Sequence, residues 1–304
     1  MTSALPGKPG YHRIRISAGE SLFTAFNYGF FTLLCVIMVY PFWHVIMTSF
    51  SSAEAAAKGG IFLQPKGFNL ETYKNVFSNP QIWTGYATTL LVTAAGTFFG
   101  TLFTATTAYS LSKKHLPLGS TLMVLVLFTM IFNGGMIPSY LLIKNLGLTN
   151  SRLALILPGL VNAYNVIIMK TFFLSIPGSL EESARIDGAN DVFIFARIII
   201  PLSKATIATI ALFTAVGYWN DYFSTVLYIT DGKKWALQAV LRFMLVNTSQ
   251  AMNAAGVTVI GATAVTAATI KAASVVVATV PILIVYPFLQ KYFVKGVMIG
   301  SVKG

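Results

Sequence analysis

Six ionisable side chains fall within residues 181–202, EESARIDGANDVFIFARIIIPL: Glu181, Glu182, Arg185, Asp187, Asp191 and Arg197. Carboxylates and guanidiniums gathered this way stay in water and suit charge-assisted contacts with another protein. Local signals predict the shape that carries them. Ser179 and Glu182 have capping-box spacing, so a short helix is expected to begin at Leu180. Gly188 can take a positive φ and stop it. A second helical run, DVFIFARIII, then meets Pro201, before which a bend is expected. The bland alternative is an ordinary solvated loop.

A second set of residues has the chemistry of sugar contacts. Asn133 and Tyr140 lie seven apart, with Thr129 one turn earlier, and are expected on one helix face beside Gly134, Gly135 and Pro138. Asn162 and Asn165 flank Tyr164, and Tyr218, Trp219, Asn220 and Asp221 are contiguous. Aromatic rings stack on the apolar faces of pyranoses, and amides bond hydroxyls. Polar groups within a membrane usually face the interior of the helix bundle. They also glue helices together, and Tyr and Trp form interfacial belts, so packing competes with a solute-facing role. Asp221 is the one acid inside an apolar segment and is poorly suited to an acidic solute.

The elements that must position these residues follow from composition. The chain has 304 residues, 55% hydrophobic and only 10% charged, where a soluble domain carries about a quarter charged residues. An all-α polytopic membrane protein is expected. Six segments approach the ~20 apolar residues of a spanning helix: 22–47, 85–111, 120–143, 153–174, 205–229 and 273–293. The first is too long for a secretory signal core and reads as a retained span. Arg13 and Arg15 before span one, and Lys113 and Lys114 after span two, place both termini in the cytoplasm. The connection 48–84 reads as a folded outer loop. In 230–272, Leu237, Val240, Leu241 and Met244 share the face of an expected interfacial helix. Cys35, the single cysteine, reads as a buried thiol. The net charge of +12 is scattered through loops and forms no nucleic-acid stripe; anionic lipid is the simpler partner.

The residues Glu182, Ala184, Asp187, Gly188 and Ala189, with Pro201 thirteen positions after the glycine, resemble the EAA loop of ABC importer permeases. Ser183 stands where that pattern has an alanine. The likeness continues in YPFWHVIMTSFS (40–51), GGMIPSYLLIKNLGLTNS (134–151), YWNDYF (218–223) and PFLQKYFVKGVMIGSVKG (287–304). Together these resemble the second, MalG-like permease of type I carbohydrate importers, within it the permeases for polysaccharide-derived oligosaccharides of pectic or alginate type. The resemblance implies the type I importer permease fold, one permease domain over 1–304, with the tail and first span in 1–50 and a core over 85–304 holding the loop 177–202. It implies docking of Glu181, Glu182, Ala184, Arg185, Asp187, Gly188 and Ala189 on a cytoplasmic ATPase dimer. It further implies a homologous second permease and an extracytoplasmic solute-binding protein as partners.

Two other classes compete. An autonomous ion-coupled secondary transporter would want paired intramembrane acids or histidines, and His12, His44 and His115 lie near or outside span ends. A membrane-embedded enzyme would need a catalytic cluster within the bilayer, and none is spaced for it. No G-x-x-x-x-G-K-[ST] phosphate loop occurs, so ATP hydrolysis must come from a partner, and no cofactor or metal site is expected.

Overall fold

The structure is a computed structural model that describes residues 18–113, 115–254 and 266–301. Among the described residues it is helical throughout, with no strand. Helix α1 (Ala18–Ser49) packs against the last helix, α15 (Ala267–Ser301), and leaves most of its apolar circumference open. Cys35 is therefore exposed, not buried as expected, because this part of α1 has few side chains packed over it.

The connection after α1 is folded, as expected. Ser52 caps α2 (Ala53–Lys58), and α3 (Glu71–Ser78) returns the chain to the bundle. Ser49 and Tyr73 share a 2.7 Å hydrogen bond. Burial pushes the Tyr73 phenol up, with that bond working against the shift. Asn79 and Pro80 then start α4 (Pro80–Ser112), the Asn79 side chain accepting from the Gln81 N–H at 2.9 Å.

Helix α4 is the central post. Its small buried residues, Gly96, Gly100, Ala105 and Ala108, let α8 (Ala163–Leu174) and α12 (Lys204–Asn220) approach closely. A Cβ on Gly96 would stand 2.4 Å from the Tyr218 ring, and one on Gly100 would stand 3.0 Å from the Leu160 carbonyl oxygen.

Among the described residues, three helices are individually long and apolar enough to cross a membrane: Gly19–Ser49, Pro80–Ser112 and Ala268–Val285. Three bent pairs pass the same test only when joined. Helices α5 (Gly119–Ile131) and α6 (Met136–Asn145) meet at 115°. The expected single face of Thr129, Asn133 and Tyr140 is thus broken. Gly135 turns the chain at φ +90°, and the Asn133 side-chain Oδ1 accepts from its N–H at 2.9 Å. The α7 pair (Leu153–Ile156, continued as a 3-10 turn to Gly159) meets α8 at 49°.

The segment 205–229 is not one helix either. Helix α12 ends at Asn220, and α13 (Phe223–Tyr228) follows after a break. Helix α14 (Leu237–Ala254) packs on the bundle through the expected face. Leu237, Val240 and Leu241 are buried with Met244 packed beside them, and the Leu237 N–H donates to Thr89 Oγ1 at 2.8 Å.

Candidate coupling surface and solute cleft

Helix α9 (Gly178–Ile186) carries the charged cluster. It begins two residues before Leu180, with Pro177 at the N-cap and no side-chain cap. The expected capping box does not form, because Ser179 already lies inside the first turn that Pro177 sets.

Its other end is closed by a Schellman motif. The Ala189 N–H donates to the Ala184 carbonyl at 2.9 Å, and the Gly188 N–H donates to the Arg185 carbonyl at 3.0 Å. Gly188 sits at φ +86° with open space around it. Ala184 and Ala189 are partly buried on the core that holds Ile194, Phe173 and Val166. Small residues at those two positions let the turn sit flat on the bundle.

Helices α10 (Asp191–Ile194) and α11 (Ile200–Leu202) follow, joined by a π turn over Phe195–Ile199. Asn190 caps α10, its side-chain oxygen accepting from the Phe193 N–H at 2.8 Å. The bend expected before Pro201 is displaced. Ile200 keeps helical angles and its N–H reaches back five residues to the Phe195 carbonyl, a wider turn that gives the proline ring room. The 84° bend falls at Ser203.

The charges divide into two groups. Glu181 turns inward and pairs with Lys113 at the end of α4, whose ammonium lies over the Tyr109 ring at 3.8 Å. Arg185 pairs with Asp191 at 2.7 Å, bracing α9 against α10. Glu182, Asp187 and Gly188 are exposed, with Ile186 beside them at 86% exposure. Lys113 and Tyr109 were not among the sequence candidates, since nothing local links positions 113 and 181.

The second set of candidates is not brought together. Asn133 closes the α5–α6 turn. Tyr140 stacks on Tyr228 with ring centroids 6.4 Å apart. Asn162 caps α8, accepting from the Tyr164 N–H at 2.9 Å; Tyr164 points outward and Asn165 is buried. Tyr218 is buried and donates to the Ile156 carbonyl at 2.7 Å, while buried Trp219 donates to the Ala278 carbonyl at 3.2 Å. Asp221 does not lie within an unbroken span: it sits at the α12–α13 break and accepts from the Ser224 N–H at 3.1 Å.

Asn220 alone of this set lines a cleft, one with mainly apolar walls and a few polar groups. The cleft, of about 360 Å³, lies between the end of α12, α14 and α15. Tyr222, Gln238, Arg242 and Ser274 line it with Asn220. Arg242 was missed because the surrounding AVLRFML reads as membrane-surface helix.

The family described as the binding-protein-dependent transport system inner membrane component matches residues 116–299. The chain belongs to this family. It is accordingly a non-catalytic, multi-pass membrane subunit of an ABC transporter, working with an ATPase and a substrate-binding protein. Two relatives from Bacillus subtilis (strain 168) align over nearly all of it. The polygalacturonan/rhamnogalacturonan transport system permease protein YtcP is 46% identical over 93% of this chain and 99% of its own. Protein LplC is 45% identical over 96% of this chain and 99% of its own. Among solved structures, a chain of a bacterial ABC transporter involved in the import of the acidic polysaccharide alginate is similar at a TM-score of 0.81. It is 32% identical, over 94% of this permease and 100% of that chain.

Proposed function

We propose that this permease is one of two homologous membrane subunits of an ATP-driven importer of oligosaccharides derived from polysaccharides. In this reading a separate cytoplasmic ATPase dimer drives it through α9. The observation that carries the proposal is the form of α9. It is a short helix held rigidly at its base by the Schellman turn, the Lys113–Glu181 pair and the Arg185–Asp191 brace, with Glu182, Ile186, Asp187 and Gly188 turned outward. A rigid knob transmits a push; a mobile loop absorbs it. The bent helix pairs act as spans, giving six crossings with both termini cytoplasmic and α9 on the ATPase side. The names of YtcP and of the alginate importer support a carbohydrate cargo.

Purification of the tagged chain from its host in mild detergent, with mass spectrometry of what accompanies it, tests the proposal. An ATPase, a related permease and a solute-binding protein are expected. A chain that purifies alone at every detergent strength would contradict it and favour an autonomous ion-coupled transporter.

A further inference from the structure

The cleft between α12, α14 and α15 carries one cation and no carboxylate among its lining residues. Arg242 is the one charged residue of α14. Its guanidinium lies 4.4 Å from the Tyr222 ring centroid. A ring under the guanidinium face restrains the group and leaves its N–H fork free for a planar oxyanion. Asp221, the nearest acid in sequence, is held at the Ser224 N–H and does not line the cleft.

The remaining polar groups suit hydroxyls. Asn220 and Gln238 each offer a donor and an acceptor. The Ser274 hydroxyl is buried, borders the cleft and has no hydrogen-bond partner. Val275 and Ala278 supply an apolar wall. The volume lies within the roughly 300–1,000 Å³ range of small-molecule clefts.

We infer that this cleft is a subsite for a uronate unit of the transported oligosaccharide, with Arg242 binding the carboxylate and Asn220 and Gln238 binding ring hydroxyls. The inference rests on the importer reading and adds to it a residue that selects for charge. An anionic lipid headgroup would use the same cation, and losing such a site would slow both sugars of the test below equally.

The test uses the complete importer in proteoliposomes, with its solute-binding protein saturating. Uptake of trigalacturonate is compared with that of the same trimer methyl-esterified at its carboxyls. The quantity read is the ratio of variant to wild type for each sugar, so discrimination by the binding protein cancels. Arg242→Gln is expected to slow trigalacturonate uptake tenfold or more and to change uptake of the ester less than twofold. Arg242→Lys is expected to fall between, keeping the charge without the fork. Equal losses for both sugars, or no loss for either, would overturn the subsite while leaving the importer standing. A wild-type complex in which neither sugar is taken up or stimulates ATP hydrolysis would overturn the importer reading, and the subsite with it.

Discussion

The charged knob at α9 and the aromatic cluster at the end of α12 both stand out in the sequence, yet the structure treats them in opposite ways. In the α9 knob the conspicuous charges other than Glu181 face outward, and Ala184 and Ala189 pack inward. In α12 the conspicuous residues turn inward: Tyr218 fills the space left by Gly96 and Gly159, and Trp219 bonds the backbone of α15. A charge in an apolar chain has few stable places other than water or a partner, so its side of the protein is legible. A tyrosine or tryptophan has an apolar body and a polar tip, and is equally stable as core or as lining.

Substitutions can break or sharpen that contrast. Gly188→Trp should have the largest effect. It forces a side chain into the left-handed region at a cost of about 1–2 kcal/mol and adds bulk to the knob. Sugar-stimulated ATP hydrolysis of the reconstituted importer should vanish while the protein still assembles. Normal stimulation would remove α9 from the coupling path. Gly96→Val should act through packing, colliding with the Tyr218 ring and destabilising the bundle by about 1–3 kcal/mol, seen as a lower melting temperature in detergent. Tyr218→Phe keeps the ring and loses the bond to Ile156, so about 1 kcal/mol is expected from the same measurement. A large fall in transport with unchanged stability would instead make Tyr218 a solute contact. Lys113→Ala should cost a similar amount, about 1 kcal/mol, because Glu181, only about one-fifth exposed, is left without its partner.

Much of the fold was legible, for reasons that differ by element. The apolar runs 22–47 and 85–111 became α1 and α4 because each is long and uninterrupted. The run 120–143 reads as one span interrupted at Gly134, Gly135 and Pro138, yet the size of the 115° bend held by Asn133 and Gly135 is not legible there. Hydropathy averages over such a break, whereas backbone geometry does not. The stop at Gly188 was legible because only a positive φ closes a Schellman turn there, while the start of α9 was misplaced because a proline cap outranked a serine. The contacts of Lys113 and Arg242 escaped notice for a common reason. They are made to Glu181 and Tyr222, residues distant in sequence; Lys113 with Lys114 spoke only to topology, and Arg242 is one cation in a chain of net charge +12.

The most direct measurement of the central claim is site-specific photo-crosslinking in the assembled importer. A crosslinking residue at Ile186, on the exposed end of α9, is compared with one at Leu63, which is 64% exposed in the connection expected on the opposite side of the membrane. An adduct with the ATPase from position 186, and none from position 63, is the predicted result. No ATPase adduct from position 186, or equal adducts from both, would contradict the claim that α9 is the surface on which the motor acts.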